Sequence, residues 1–371
     1  MASIIEFVFN KEKYYLKSRI LTNEIFNEVK KSGFNLNLNI EAGEDGFGNI
    51  YEIIIHNNLE KLINKYIKPQ SLIDIIRLED YGIINIKNKK SIFIKNYKKN
   101  GIINKINKNK RIKEKIEQLL LTNLDNNVKD YYFSFLITKA PSKYTYTLSD
   151  YLEMDDNEID STFFCKKMNI IIKYLNILYK NFGFVHCDLH LGNILYDEHN
   201  DKLYIYDFDL SILKLNSKLI NNFVIETVYN INDISFALFN SNDIEIILEI
   251  LHSYDYYRLL FEDPVIFFNI KSSLKIGNLK FKDFYELTTK IKNTNINEDM
   301  VKFYKNKKVT NIDLCLINQY TDYCMGIIIG IYLYSFINPD SILYKKMSIK
   351  NNPMNNLIKI QKNNLKINND F

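Results

Sequence analysis

Tryptophan is absent from this chain, and glycine (11) and proline (5) are scarce among its 371 residues. That scarcity of backbone breakers excludes a linker-rich or collagen-like polypeptide and implies that most of the chain is regular structure. Cysteine is also rare: Cys165, Cys187, Cys315 and Cys324. None of them forms a Cys-x-x-Cys pair, which argues against a disulfide framework and for reduced thiols in a cytosolic compartment. Long apolar runs are missing too. The longest, Tyr323 to Ile337, falls short of the ~20 residues a membrane span needs and reads as a buried helix. The amino terminus lacks the basic region of a secretory signal.

What remains is ordinary for a folded chain: 46% apolar and 25% charged residues, enough for one two-lobed domain or two small ones. Asn, Ile and Lys are abundant, as A/T-rich codons would give. The net charge of +5 therefore carries little weight as a sign of an anionic partner, and there is no specific nucleic-acid signal.

Chemistry concentrates in residues 184–211. Asp188, Asn193 and Asp207 stand out against apolar flanks. Ile194-Leu195-Tyr196 and Leu203-Tyr204-Ile205-Tyr206 read as two strands around the turn residues Asp197 to Asp201. Such a hairpin brings Asn193 and Asp207 to its open end, where an amide oxygen and a carboxylate suit a hard cation such as Mg²⁺. Asp188, on the loop that enters the hairpin, can act as a base toward a hydroxyl. His186, Asp188 and His190 could instead be transition-metal ligands, but no further ligand set accompanies them.

His186-Cys187-Asp188-Leu189-His190-Leu191-Gly192-Asn193 resembles the catalytic loop of the protein-kinase superfamily, and Asp207-Phe208-Asp209 resembles its metal-binding D-F-G motif. The resemblance implies an α+β, two-lobed fold with a small β-rich N-lobe and a larger helical C-lobe. It implies ATP and Mg²⁺ (or Mn²⁺) as cofactors, Asp188 as the catalytic residue, and Asn193 and Asp207 as metal ligands. Residues 34–40 alternate as a half-buried strand does and Glu52-Ile53-Ile54-Ile55 reads as a second strand; Gly43, Gly46 and Gly48 between them are similar to the family's phosphate-covering loop, with Asp45 in place of its middle glycine. Lys65 is the favoured phosphate lysine, at a spacing like the family's, with Lys95 as its rival. The glutamate that should pair with it is left open between Glu79 and Glu114.

The implied division is an N-terminal extension at 1–33, read as mainly helical, an N-lobe at 34–138 with a Lys/Asn-rich insertion, a C-lobe at 139–344 and a basic tail at 345–371. Residues 131–138 read as a buried strand. The break that follows resembles the interlobe hinge, whose backbone near Lys139 and Ala140 would meet adenine. Residues 162–182 form the clearest helix, closed by Gly183. Asp233 resembles the aspartate that braces the catalytic loop from below.

Several departures bear on mechanism. Cys187 stands where many kinases have the Arg that binds a phosphorylated activation segment, so activity independent of that phosphorylation is expected. His190 replaces a lysine and is similar to the loop of aminoglycoside and choline kinases. Asp209 replaces the glycine of D-F-G. With Asn221-Asn222-Phe223, it resembles poxvirus kinases and their relatives in other large DNA viruses. The reading that follows is a Ser/Thr protein kinase with a protein substrate, in the cytoplasm, or in host cytoplasm or virion if viral. A small-molecule phosphotransferase and a pseudokinase scaffold are the alternatives.

Overall fold

The computed structural model describes residues 3–35, 47–69, 72–87, 91–98, 101–106, 108–122, 130–154, 161–215, 218–221 and 243–261, with short pieces between 275 and 343. The chain divides into two compact units. One comprises Met1–Met154 and Leu191–Thr227, the other Asp155–His190 and Val228–Phe371.

The first unit opens with an antiparallel hairpin, β1 (Ser3–Phe9) and β2 (Glu12–Leu21). Its turn residues Asn10 and Lys11 have φ of 51° and 67°, the left-handed pair of a type I′ turn, which suits the twist of a hairpin. The mainly helical reading of 1–33 is therefore corrected. Along β2, Tyr14, Leu16 and Ser18 are buried on one face, while Tyr15, Lys17 and Arg19 are half-buried on the other. That is a strand period of two. Helix α1 (Asn23–Ser32) follows, capped by the Thr22 hydroxyl, which accepts from the Ile25 N–H at 3.3 Å.

Helix α2 (Phe47–Tyr66) takes the place of the expected second strand at Glu52–Ile55. The isoleucine run favours strand by local propensity, but Ile50, Ile53, Ile54, Leu59 and Ile63 are all buried. They recur at helical spacing, and burial at that spacing outweighs propensity. Beyond it come β3 (Ile73–Ile75), β4 (Leu78–Lys87), β5 (Ser91–Asn96), the short α3 (Ile103–Ile106), α4 (Lys110–Thr122) and β6 (Asp130–Lys139).

The strands form a five-stranded antiparallel sheet in the order β1-β2-β6-β4-β5. On one face, Leu16, Ile84, Phe133, Phe135 and Ile137 pack with Ile103 and Ile106 of α3 and Ile112 and Ile116 of α4. On the other, Ile53 of α2 packs with Leu78, Tyr81 and Leu136. Register sets Lys17 opposite Leu136, on the α2 face. The β6 strand falls where the sequence places it. At its end the Ala140 N–H donates to the Lys13 carbonyl at 2.9 Å, extending the β2–β6 pairing.

A second, four-stranded sheet has the order β3-β9-β8-β7, built from β7 (Thr145–Thr147), β8 (Ile194–Asp197) and β9 (Lys202–Ile205), with β3 parallel to β9. Helix α5 (Leu148–Glu153) starts at Thr147, whose hydroxyl accepts the Asp150 N–H at 3.0 Å. A small hairpin, β10 (Leu213–Leu215) and β11 (Lys218–Ile220), follows.

Among the described residues, the second unit holds two long helices, α6 (Ser161–Phe182) and α7 (Ile244–Phe261). Phe164, Met168, Ile171, Leu175 and Leu178 of α6 are buried, as their spacing predicts. Gly183 closes the helix with φ 56°. Its N–H donates to the Tyr179 carbonyl at 2.7 Å, the left-handed stop for which glycine has no Cβ penalty. Among the described residues no helix is long and apolar enough to cross a membrane.

Candidate functional site

In the first unit a charged cluster gathers on the α2 face of the sheet. Lys17 Nζ of β2 lies 2.8 Å from Glu52 Oε2 of α2, 2.6 Å from Asp207 Oδ1 and 3.6 Å from Asp209 Oδ2. Arg19 Nη2, two residues along the same strand face, lies 2.8 Å from Asp209 Oδ2. Burial alone would lower the Lys17 ammonium. The carboxylates of Glu52, Asp207 and Asp209 outweigh it and hold that pKa above its ordinary value. Glu52 is fully buried, and desolvation raises its carboxyl while Lys17 pulls the other way. A buried ion pair of this kind costs desolvation at both ends and persists only when both partners stay.

Asp207 follows β9 at φ 64°, a left-handed backbone that turns the chain out of the hairpin. The hairpin itself matches expectation, with Ile194 opposite Ile205 and Asp197 opposite Lys202. Asn193 ends a 3₁₀ turn (Leu191–Asn193) and is buried; its carbonyl accepts the Tyr206 N–H at 3.2 Å. Asn193 and Asp207 therefore flank the open end. Among the described residues no group of three His, Cys, Asp or Glu is arranged to hold a metal ion. An amide oxygen and one carboxylate nonetheless fit Mg²⁺, which takes one or two protein ligands beside water and phosphate oxygens.

Phe208 is fully buried and meets the His56 ring of α2 edge-on, at 5.0 Å between centroids. Burial lowers the His56 imidazole to about 4, so it is neutral, and it pairs with the Ile76 carbonyl. Asn221 Nδ2 donates to the carbonyls of Ser211 (2.9 Å) and Asp209 (3.3 Å), tying the segment after Asp207 to the β11 end. Asn222 and Phe223 lie outside the described residues.

In the second unit, the loop from Phe184 to His190 is held by α7. Asp255 Oδ2 accepts the His186 N–H at 2.9 Å, and its carboxylate also takes the backbone N–H groups of Cys187 and Leu189. Desolvation pushes the Asp255 carboxyl up to about 7 against those donors. Arg258 Nη2 lies 2.6 Å from Asp188 Oδ1. Cys187 is fully buried at φ 67°, and burial raises its thiol well above the ordinary range, so it is not a reactive thiolate. Asp255 braces the loop in the way the sequence assigned to Asp233, which lies outside the described residues.

The remaining sequence assignments are distributed as follows. Lys65 sits in the last turn of α2 with its ammonium over the Tyr66 ring, 4.7 Å from the centroid, and is not the lysine beside Asp207. Lys95 lies on edge strand β5 over Tyr97. Glu79 is on β4, and Glu114 forms an exposed pair with Lys110 on α4. Gly48 belongs to the first turn of α2, where an added Cβ would stand 3.2 Å from Arg19 Nη1. It is not in a strand–loop–strand hairpin. Gly43 and Gly46 lie outside the described residues. Lys17, Glu52, Asp255 and Arg258 are missing from the sequence reading. The signal for Lys17 was the alternation Tyr14, Leu16, Ser18 against Lys17, Arg19. For Glu52 it was a carboxylate at the interior spacing of an apolar helix.

Residues 144–233 match the family described as ABC1 atypical kinase-like domain. That stretch contains the Asp188 loop, the hairpin and Asp207. Over those residues the chain is similar to a kinase-like domain. The described elements combine a β-rich first unit with a second unit described mainly by helices, as the α+β reading requires. No curated protein matches the chain. Among solved structures it is similar to the Cydia pomonella granulovirus kinase PK-1, at 16% identity and a TM-score of 0.25. The likeness takes in 57% of this chain and 53% of that one, so this chain spans about half the length of the structure it matches.

Proposed function

We propose that the chain is an ATP- and Mg²⁺- (or Mn²⁺-) dependent protein kinase acting on Ser or Thr hydroxyls. The observation that carries the reading is the buried Lys17–Glu52 pair, with Lys17 also on Asp207. A lysine held by a helical glutamate next to a metal-binding aspartate is what a site for nucleotide phosphates needs. Lys17 then pairs with phosphate oxygens and Glu52 keeps it aimed. Asn193 and Asp207 would hold the metal ion, which would supply charge neutralisation for the phosphates. Asp188 orients the acceptor hydroxyl and takes its proton. As the new P–O bond to the acceptor oxygen forms, the bond from the γ-phosphorus to the bridging oxygen breaks, and ADP leaves with that electron pair. Positioning and charge neutralisation supply most of the rate enhancement in this chemistry.

The test is transfer of labelled γ-phosphate from ATP–Mg²⁺ to mixed acidic and basic protein acceptors by wild type and Asp188→Asn. Label from wild type alone supports the reading. If wild type labels no protein but phosphorylates aminoglycosides or choline, the small-molecule alternative replaces it. If ATP–Mg²⁺ raises the Tm and nothing is phosphorylated, the chain is a nucleotide-binding scaffold.

A further inference from the structure

Helix α7 grips the Asp188 loop twice. Asp255 and Arg258 stand three residues apart, the spacing that puts two side chains on one helix face. Asp255 takes the backbone of the loop, through the N–H groups of His186, Cys187 and Leu189. Arg258 takes the side chain, through the 2.6 Å contact to Asp188 Oδ1. From Phe184 to Asn193 the sequence contains neither Lys nor Arg. Its residue next to the aspartate, Cys187, is turned into the core with no exposure.

We infer that Arg258 is a positioning residue for phosphoryl transfer, fixing the orientation of the Asp188 carboxylate toward the acceptor hydroxyl. The inference rests on the reading of Asp188 as the group that meets that hydroxyl. The side chains of Arg258 and Asp188 remain 23% and 28% exposed, so the pair lies at the surface of its unit, where an unheld aspartate would sample several rotamers. A short charge-assisted hydrogen bond to one carboxylate oxygen selects among them. Because α7 also holds the loop backbone through Asp255, side chain and main chain are referenced to one rigid element. Displacing a reacting group by about 1 Å can cost roughly 100-fold in rate. Lysine carries the charge but lacks the planar fork, so it should restore only part of the orientation.

The test uses the full chain and steady-state transfer from ATP–Mg²⁺ by wild type, Arg258→Ala, Arg258→Gln, Arg258→Lys and Asp188→Asn, with Tm measured for each. The expected result is a fall of about 100-fold in kcat for Arg258→Ala and Arg258→Gln, with KM for ATP within about twofold of wild type and partial recovery in Arg258→Lys. Wild-type kcat in Arg258→Gln would overturn the inference. So would an equal loss in Gln and Lys variants together with a matching drop in Tm, which marks a purely structural contact. Wild-type turnover in Asp188→Asn would instead overturn the reading of Asp188, a failure distinguishable from that of Arg258.

Discussion

Lys17 Nζ and Glu52 Oε2 are 2.8 Å apart, one on a sheet strand and the other on the helix that packs over the same sheet face. The side chains are 11% and 5% exposed, which sets the scale of what happens when either is lost. Removing one partner of a buried pair costs about 3–5 kcal/mol when the remaining charge has no other partner. Lys17 keeps Asp207 at 2.6 Å, so Glu52→Ala is expected to lower stability in urea unfolding by less than that, about 1–3 kcal/mol. Glu52→Gln keeps the volume and should lose less, with a larger relative loss of ATP–Mg²⁺ binding than of stability. Equal stability of Glu52→Ala and wild type would show that the pair does not form.

Arg19 and Asp209 test a second link. Their 2.8 Å contact joins β2 to the residue two positions past Asp207, at 30% and 17% side-chain exposure. Arg19→Ala should therefore weaken phosphotransfer by loosening the segment that carries Asp207, while costing about 1 kcal/mol or less in stability, as a partly exposed pair does. The charge-reversed pair, Arg19→Asp with Asp209→Arg, should recover part of the single-variant loss. If the double variant is no better than the worse single one, the contact is not what orders this segment.

His56 gives the pH prediction. Burial holds its folded-state pKa at about 4, against 6.5 for the exposed imidazole. Between those values the unfolded chain binds a proton that the folded chain does not. Folding free energy from this group is therefore intact above about 6.5 and is lost as pH falls toward 4. At about 1.4 kcal/mol per pH unit the loss is of order 3 kcal/mol. Neutral Gln has no such titration, so the difference in unfolding free energy between wild type and His56→Gln should shrink by that order between pH 7 and pH 4. A difference independent of pH would mean that His56 is not buried neutral.

Gly82 predicts a packing effect. A Cβ there would collide with the Lys95 carbonyl and lie 2.8 Å from Phe135 Cε1. Both belong to neighbours of β4 in the sheet, so neither can retreat without disturbing the ladder. Gly82→Ala should cost about 2–4 kcal/mol in chemical unfolding, against a small effect for substitution at exposed Lys110. A tolerant Gly82→Ala would contradict the strand register of β4.

The second half of the described fold was legible because local and tertiary preferences agree there. Residues 194–206 are strand formers around a polar turn, and residues 162–182 repeat apolar side chains at helical spacing before a glycine. Both features appear where the pattern puts them. The first half misled for the opposite reason. Residues 12–21 contain only one β-branched residue, Ile20, so their alternation went unread. Residues 52–55 are mostly β-branched, yet they fold as helix because α2 buries most of its surface. The family's spacing then pointed to Lys65 and a glycine loop, while the lysine beside Asp207 is Lys17 of β2. Asp255 and Arg258 could not be read at all, since nothing local distinguishes an aspartate and arginine on a helix that later meets a loop from the same residues at a surface.

The most direct measurement is γ-phosphate transfer by wild type, Lys17→Met and Lys65→Met under identical ATP–Mg²⁺ and acceptor. The Lys17 site predicts that Lys17→Met loses transfer by about 100-fold or more and that Lys65→Met transfers as wild type does. Transfer by Lys17→Met at the wild-type rate would contradict the assignment of the β2–α2 ion pair to the nucleotide.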